Sequence, residues 1–237
     1  MQLKMLIIVP LAVITGAVIG AFVYLDSLQP IRNGELSLSN LSAPVSVRYD
    51  ERGVPHLEAQ NQLDLYRALG YVHAQDRLFQ MEMLRRLARG ELAEVLGESL
   101  VETDRLFRTL RIRDRATSFI AEQDKQSAAW LALQAYLDGI NQFQDSRPAP
   151  LEFDILGIPK RPFTAEDTAS VAGYLAYSFA AAFRTEPTLT YVRDQLGADY
   201  LQIFELDWHP EGVDHAPALA DSDCRHLGPI ARISQQA

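Results

Sequence analysis

His73 and Asp76 stand three residues apart in a helical stretch, a spacing that puts two metal ligands on one face. No third or fourth ligand is spaced to complete a zinc site, so the expected role is a hydrogen-bonded polar layer with Arg77 and Tyr71. His209 and His215, in WHPEGVDH, flank a Pro and a Gly and read as loop residues rather than a ligand pair. Cys224, in DSDCRH, has Arg225 and His226 beside it to activate a thiol, but a thiol without a role is the expectation. Ser, His and acids are all present, yet no GxSxG elbow exists and no serine stands beside a glycine-rich turn after a strand. An independent Ser/His/Asp site is therefore not expected.

The element that must organise these side chains is the stretch Gly70 to Gly97, GYVHAQDRLFQMEMLRRLARGELAEVLG. Leu65, Leu69, Val72, Phe79, Met83 and Leu87 recur at helical spacing, which predicts one face against a core. Asn61 is positioned to cap the start with Asp64 three residues on, and Gly97 to end the last turn. Asp76, Arg77, Glu82, Arg85, Arg86, Arg89, Glu91 and Glu94 are too many and too closely mixed to face water on one side, so some are expected paired and partly buried.

Upstream, Met5 to Leu25 is uncharged and almost wholly apolar for 21 residues, long enough to cross a bilayer. It is expected to be an N-terminal anchor or a cleaved signal, and either sends the body to the periplasm. Residues 28–43 read as a linker. Val45, Val47 and Tyr49 alternate with Ser46, Arg48 and Asp50, and Arg52 with Gly53 turns the chain into a second strand, Val54 to Ala59. This hairpin is the only β structure expected. Helices are expected from Thr103–Asp104, with Leu106, Phe107 and Leu110, and from Asp124, with Trp130, Leu133, Leu137 and Ile140. Thr164 and Asp167 form a capping-box start to a helix through Phe183, and shorter helices are expected over Thr188 to Leu196 and Asp199 to Leu206. The predicted organisation is residues 1–27 as anchor or signal, 28–43 as linker, 44–211 as one domain and 212–237 as a spacer-like tail. A net charge of -9 argues against a nucleic-acid partner, and one cysteine excludes an internal disulfide.

Several tracts in this order carry a resemblance: VSVRYDERGVPHL (Val45 to Leu57), Gly70 to Gly97, YLDGIN (Tyr136 to Asn141), Glu152 with Phe153, and FTAED (Phe163 to Asp167). Together they resemble the α-chain half of the penicillin acylase family, amidohydrolases of the N-terminal nucleophile class that include acyl-homoserine lactone acylases. The resemblance implies an α+β fold, a mostly helical half with a hairpin, completing an αββα sandwich with a β half. It implies hydrolysis of a linear amide to a carboxylic acid and an amine. The nucleophile would be a serine exposed at the β-half N-terminus by self-cleavage, so this chain alone is expected to be inactive. Its expected partners are that β half, an N-acyl small molecule and the membrane.

The resemblance also places acyl-pocket positions at Ala176 and Ala180, with Phe179 beside them, and a calcium-binding acid at Glu186. Alanine at both pocket positions implies room for a fatty acyl chain, against the plainer reading of a tightly packed helix of small residues. Calcium requires six to eight oxygens, and in the family the others come from the β half; a solvated glutamate before Pro187 is the competing reading. No organic cofactor is expected. A rival expectation is a membrane-anchored helical binding module, or a truncated gene product, without catalysis.

Overall fold

The computed structural model describes residues 2–180, 182–204 and 230–235, with side chains described for 13–180, 185–201 and 203. In chain order its elements are helix α1 (Gln2–Ser27), strands β1 (Gly34–Leu38), β2 (Val45–Tyr49) and β3 (Pro55–Glu58), and the long helix α2 (Gln62–Arg89). Helices α3 (Ala93–Leu96), α4 (Val101–Leu110), α5 (Ile112–Ala121), α6 (Ala128–Ser146), α7 (Leu151–Leu156), α8 (Ala165–Ala180) and α9 (Ala182–Leu196) follow. A 3-10 segment, Ala198–Phe204, and strand β4 (Ile230–Gln235) complete the described set. The fold is α+β and mostly helical, as expected.

Helix α2 starts where Asn61, in extended conformation, accepts the Asp64 amide at 2.9 Å. It ends at Gly90, not at Gly97. Gly90 has φ 67°, and Glu91 N–H then bonds back to Arg86 C=O at 2.8 Å, closing the helix end as a left-handed residue does. A Cβ at Gly90 would lie 2.6 Å from Asp104 O, so space as well as φ requires glycine there. Gly97 ends the short α3 instead.

The core forms where α2 crosses α6. A Cβ on Gly70 would lie 2.0 Å from Tyr136 O, and one on Gly139 would lie 1.9 Å from Arg67 O. Each glycine thus admits the other helix's backbone, which explains why both sequence tracts contain one. Tyr71, Val72, Leu78, Leu137, Ile140 and Phe143 are buried around this crossing, with Tyr71 edge-on to Phe143 at 5.4 Å. Of the expected stripe on α2, Val72 is buried, Leu65, Phe79, Met83 and Leu87 are half-buried, and Leu69 is exposed. The buried surface of α2 is wider than a stripe and includes Asp64, Glu82, Arg85 and Arg86.

The hairpin β2–β3 forms as expected, with Val47 opposite Leu57. Asp50 Oδ1 accepts the Arg52 and Val54 amides at 2.9 Å each, and Gly53 takes φ 75° to close the turn. It is not the only β structure: the sheet has four strands in the order β1-β4-β2-β3, with β1 parallel and β2 antiparallel to β4. The expected linker 28–43 therefore carries a strand, whose Leu38 is buried in the core beside Leu41. The expected tail 212–237 likewise carries β4. Gln75 fixes the segment before β1, exchanging hydrogen bonds with Ile31 N and O at 3.0 and 3.3 Å. Two further starts differ from expectation. Asp104 lies inside α4 and caps α3, accepting from Leu92 and Ala93 N–H at 2.9 and 2.8 Å; Ser127, not Asp124, caps α6.

Residues 5–25 fall within α1, whose described side chains begin at Val13. Val13, Ile14, Val18, Ile19, Phe22 and Val23 are all more than half exposed. Tyr24 hydroxyl donates to Asp154, and Arg147 Nη2 donates to Ser27 O at 2.9 Å, so the end of α1 is tied to the body. Among the described residues no helix is long and apolar enough to cross a membrane.

Candidate functional site

The helix that carries the predicted pocket positions, α8, is held at its start by the capping box read from the sequence. Thr164 N–H donates to Asp167 Oδ2 at 3.1 Å, and Asp167 N–H donates to Thr164 Oγ1 at 3.2 Å. Asp167 is buried and also accepts from Arg89 Nη1 at 2.8 Å and Arg85 Nη1 at 3.4 Å. These arginines belong to a cluster that runs through the middle of the molecule. Glu82 accepts from Arg86 Nε at 2.7 Å, from Arg85 Nη2 and from Arg161 Nη2 at 3.4 Å. Glu91 pairs with Arg89 at 3.0 Å and with Arg161 at 3.2 Å; burial pushes its carboxyl up, but these two arginines outweigh that and hold it below the usual range. Arg85 also lies over the Phe163 ring at 4.0 Å, leaving its Nε without an acceptor. The expectation of paired, partly buried charges on α2 is met, and their partners on and before α8 tie the two helices together.

Helix α8 has two unlike faces. Gly173 lets α5 approach, since a Cβ there would lie 2.8 Å from Ile112 Cγ2, and Phe107 of α4 packs edge-on to Tyr174 and Tyr177 at 5.5 and 5.6 Å. The small residues therefore do admit a neighbour, at Gly173. Ala176, Phe179 and Ala180, nearer the C-terminal end of the helix, are exposed, Phe179 by 76%. Leu175, one turn before Phe179, is 45% exposed.

At the foot of this exposed face an open groove of about 200 Å³ lies between α2, α6 and α8. Met81, Leu84, Ile140, Phe163 and Val171 form its apolar walls, and His73, Arg77, Gln80, Tyr136, Asp167 and Thr168 its polar lining. His73 Nδ1 is hydrogen-bonded to Tyr136 hydroxyl, not to Tyr71, which is buried against Phe143. Partial burial, then the Arg77 guanidinium, holds the His73 imidazole below its ordinary value against the opposing pull of Asp76. Burial raises the Tyr136 phenol. Next to Arg77 on α2, burial raises the Asp76 carboxyl against Arg32, Arg77 and His73, and burial with Asp76 pushes the Tyr49 phenol up to about 12.

Glu186 is exposed and lies inside α9, which runs through Pro187, rather than in a loop. Among the described residues no three His, Cys, Asp or Glu side chains group as a metal site. His209, His215, Cys224 and His226 lie outside the described residues. Described serine hydroxyls of Ser27, Ser127, Ser146, Ser170 and Ser178 donate to backbone carbonyls, and that of Ser42 to Asp64; none bonds a histidine. The sequence reading missed the groove. Its walls come from helices far apart in the chain, whose meeting no local spacing announces.

Comparison with known proteins follows the same lines. The penicillin amidase family profile matches residues 44–219. Penicillin acylase 2 proenzyme of Pseudomonas sp. strain SE83 is 43% identical over 143 residues, 59% of this chain and 18% of that protein. Acyl-homoserine lactone acylase QuiP of Pseudomonas aeruginosa is 33% identical over 180 residues, 75% of this chain and 21% of that protein. This chain thus spans about a fifth of the curated relatives it matches. The structure of thermostable penicillin G acylase from Alcaligenes faecalis contains a chain that superposes with a TM-score of 0.51 at 28% identity. The match covers 74% of this chain and 97% of that one.

Proposed function

From this chain's membership of the penicillin amidase family, which the match over residues 44–219 establishes, we infer that it is the α-chain portion of an amidohydrolase. The complete protein hydrolyses an N-acyl amine to a carboxylic acid and an amine. The observation that carries this reading is a contrast in coverage: the chain matches 97% of one chain of a solved acylase but only 18% of a related proenzyme. A division into two chains accounts for both figures. The second portion then supplies the serine nucleophile, its α-amino base and the oxyanion donors, and completes the sandwich whose helical layer is described above. The isolated chain is inactive on this reading.

Within that reading the exposed face of α8 is the wall this chain gives to the acyl pocket, through Ala176, Phe179 and Ala180. Two alanines leave volume for a long aliphatic acyl group. Glu186 offers one carboxylate to a calcium ion whose other oxygens come from the second portion. Residues 5–25 anchor or export the protein, which works in the periplasm.

The test is co-expression of residues 27–237 with a matching β half and assay on N-acyl substrates. Co-purification with amide hydrolysis supports the reading, and failure of the halves to co-purify refutes it. Hydrolysis by the 237-residue chain alone would refute the division of labour. The rival reading, a non-catalytic membrane-anchored helical module, requires the body to fold cooperatively and stay monodisperse despite exposed Leu84, Leu175 and Phe179.

A further inference from the structure

We propose that the groove between α2, α6 and α8 is a binding site for a small aliphatic carboxylate, whose tail lies between Leu84, Ile140 and Val171 and whose head pairs with Arg77. The groove is separate from the expected acyl-pocket positions: Ala176, Phe179 and Ala180 lie farther along α8 and none lines it. Three observations converge on this ligand class.

The first is the character of the walls. Met81, Leu84, Ile140, Phe163 and Val171 bring apolar surface from three helices and the segment before α8 to one concavity, which favours an apolar body. Its volume of about 200 Å³ is below that of sites for drug-sized ligands, so the occupant is small.

The second is an uncommitted cation at the rim. Among the described residues Arg77 donates only to Gln80 Oε1, at 3.4 Å, and has no carboxylate within ion-pair distance. This sets it apart from Arg85, Arg86 and Arg89 on the same helix, all of which are paired. A guanidinium beside apolar walls suits the planar, two-oxygen head of a carboxylate.

The third is the state of the remaining polar lining. Asp167 is the one anion on the wall, and Arg85 and Arg89 already match it. Asp76 lines a neighbouring depression with Leu28 and Phe143, which Arg77 and Gln80 also border; Arg77 steadies the Asp76 carboxylate there without an ion-pair contact. His73 is turned to Tyr136 hydroxyl. The groove therefore offers an incoming anion one positive group without an ion-pair contact and one neutral donor, the Gln80 amide, while the Thr168 hydroxyl already donates to Thr164 O at 3.4 Å.

Binding requires neither the second portion nor hydrolysis. Its consequence rests on the reading above: a carboxylic acid is the product released there, so the groove would sense accumulated product.

Octanoate and its neutral isostere octanamide, titrated into the isotope-labelled 237-residue chain, test this by NMR. Octanoate is expected to shift the methyl signals of Leu84, Ile140 and Val171, and octanamide to bind at least about tenfold more weakly, since a charge-assisted hydrogen bond is lost. Arg77→Gln should bring octanoate down to the octanamide level and Arg77→Lys should restore part of the difference. Val171→Trp should abolish both. Equal binding of the two probes, shifts mapping elsewhere, or indifference to Arg77→Gln would overturn the proposal. So would loss of octanoate binding on adding the β half, which would show the groove to be buried by that half. The probe comparison on the unsubstituted chain decides the matter if a variant fails to fold. Because no turnover is measured, failure here is distinct from failure of the acylase reading.

Discussion

Replacing Glu82 by Gln isolates the cost of removing one charge from the middle of the molecule while keeping its shape. Glu82 is fully buried, and its two oxygens accept from Arg86 Nε at 2.7 Å, from Arg85 Nη2 and from Arg161 Nη2 at 3.4 Å. Glutamine retains one acceptor but turns an NH2 group toward guanidinium donors, and Arg85 and Arg86, both almost completely buried, lose their shared anion. Breaking a buried ion pair from one side costs about 3–5 kcal/mol, a large share of the 5–15 kcal/mol that typically separates folded from unfolded domains. For a chain of this size that corresponds to a drop in Tm of about 6–20 °C. The control is Glu102→Gln. Glu102 pairs with Arg105 at 2.9 Å, but both side chains are more than two-thirds exposed, and such pairs contribute about 0–1 kcal/mol. Thermal unfolding of the full chain, followed by circular dichroism, makes the comparison. Equal effects of the two substitutions would show that the central cluster is hydrated or locally rearranged, and the account of α8 anchoring given above would fall with it.

Gly139→Ala puts a Cβ 1.9 Å from Arg67 O, a clash with backbone that only separation of α2 and α6 relieves; a loss of about 3 kcal/mol or more is expected in urea unfolding, with Gly70→Ala behaving alike. Asp64 is buried; burial raises its carboxyl, but the Ser42 hydroxyl and amide, Asn61 and the Ala43 amide together hold it below the usual range. A folded-state value below the unfolded one contributes stability that is present above the unfolded value and lost as pH falls through the folded one. Asp64→Asn should therefore destabilise at neutral pH, and its gap from the parent chain should close below about pH 4, as read from Tm against pH. In the co-expressed enzyme, Ala176→Met and Ala180→Phe should lower kcat/KM for long acyl chains by about fourfold for each methylene excluded, while short acyl groups are spared. A uniform loss across chain lengths would remove those positions from the pocket.

The parts legible in the sequence were those whose causes are local. Asn61 with Asp64, Thr164 with Asp167, and the turn at Arg52 and Gly53 each form a motif within a few residues, and each is found as read. The end of α2 was misplaced because Gly90 and Gly97 look alike in sequence. What distinguishes them is that Asp104, twelve residues beyond the α3 start cap, folds back on Leu92 and Ala93 and forces the chain to turn at Gly90. The strand over Gly34–Leu38 was read as linker for a similar reason. Its pattern is weakly periodic, and its neighbour in the sheet is β4, nearly two hundred residues away in sequence, whose pairing no local signal announces.

The same distinction bears on the site. The charges on α2 were recognised as too mixed for a solvated face, but their partners Arg161 and Asp167 could not be assigned from spacing, since each belongs to another segment. Once assigned, they change what α8 is. A helix rich in alanine and glycine has little apolar mass with which to hold its own position, and exposed Ala176 and Ala180 contribute almost none. Its place is set instead by Asp167 at one end, gripped by Arg85 and Arg89, and by the contacts of Gly173, Tyr174 and Tyr177 along its back. Anchoring by charge at the base leaves the exposed positions with little packing duty. If, as proposed, Ala176, Phe179 and Ala180 line the acyl pocket, selectivity for the acyl group can change there at little cost to stability. The Glu82 and Ala176 substitutions separate these two roles: the first should move Tm, and the second should move substrate preference while leaving Tm nearly unchanged.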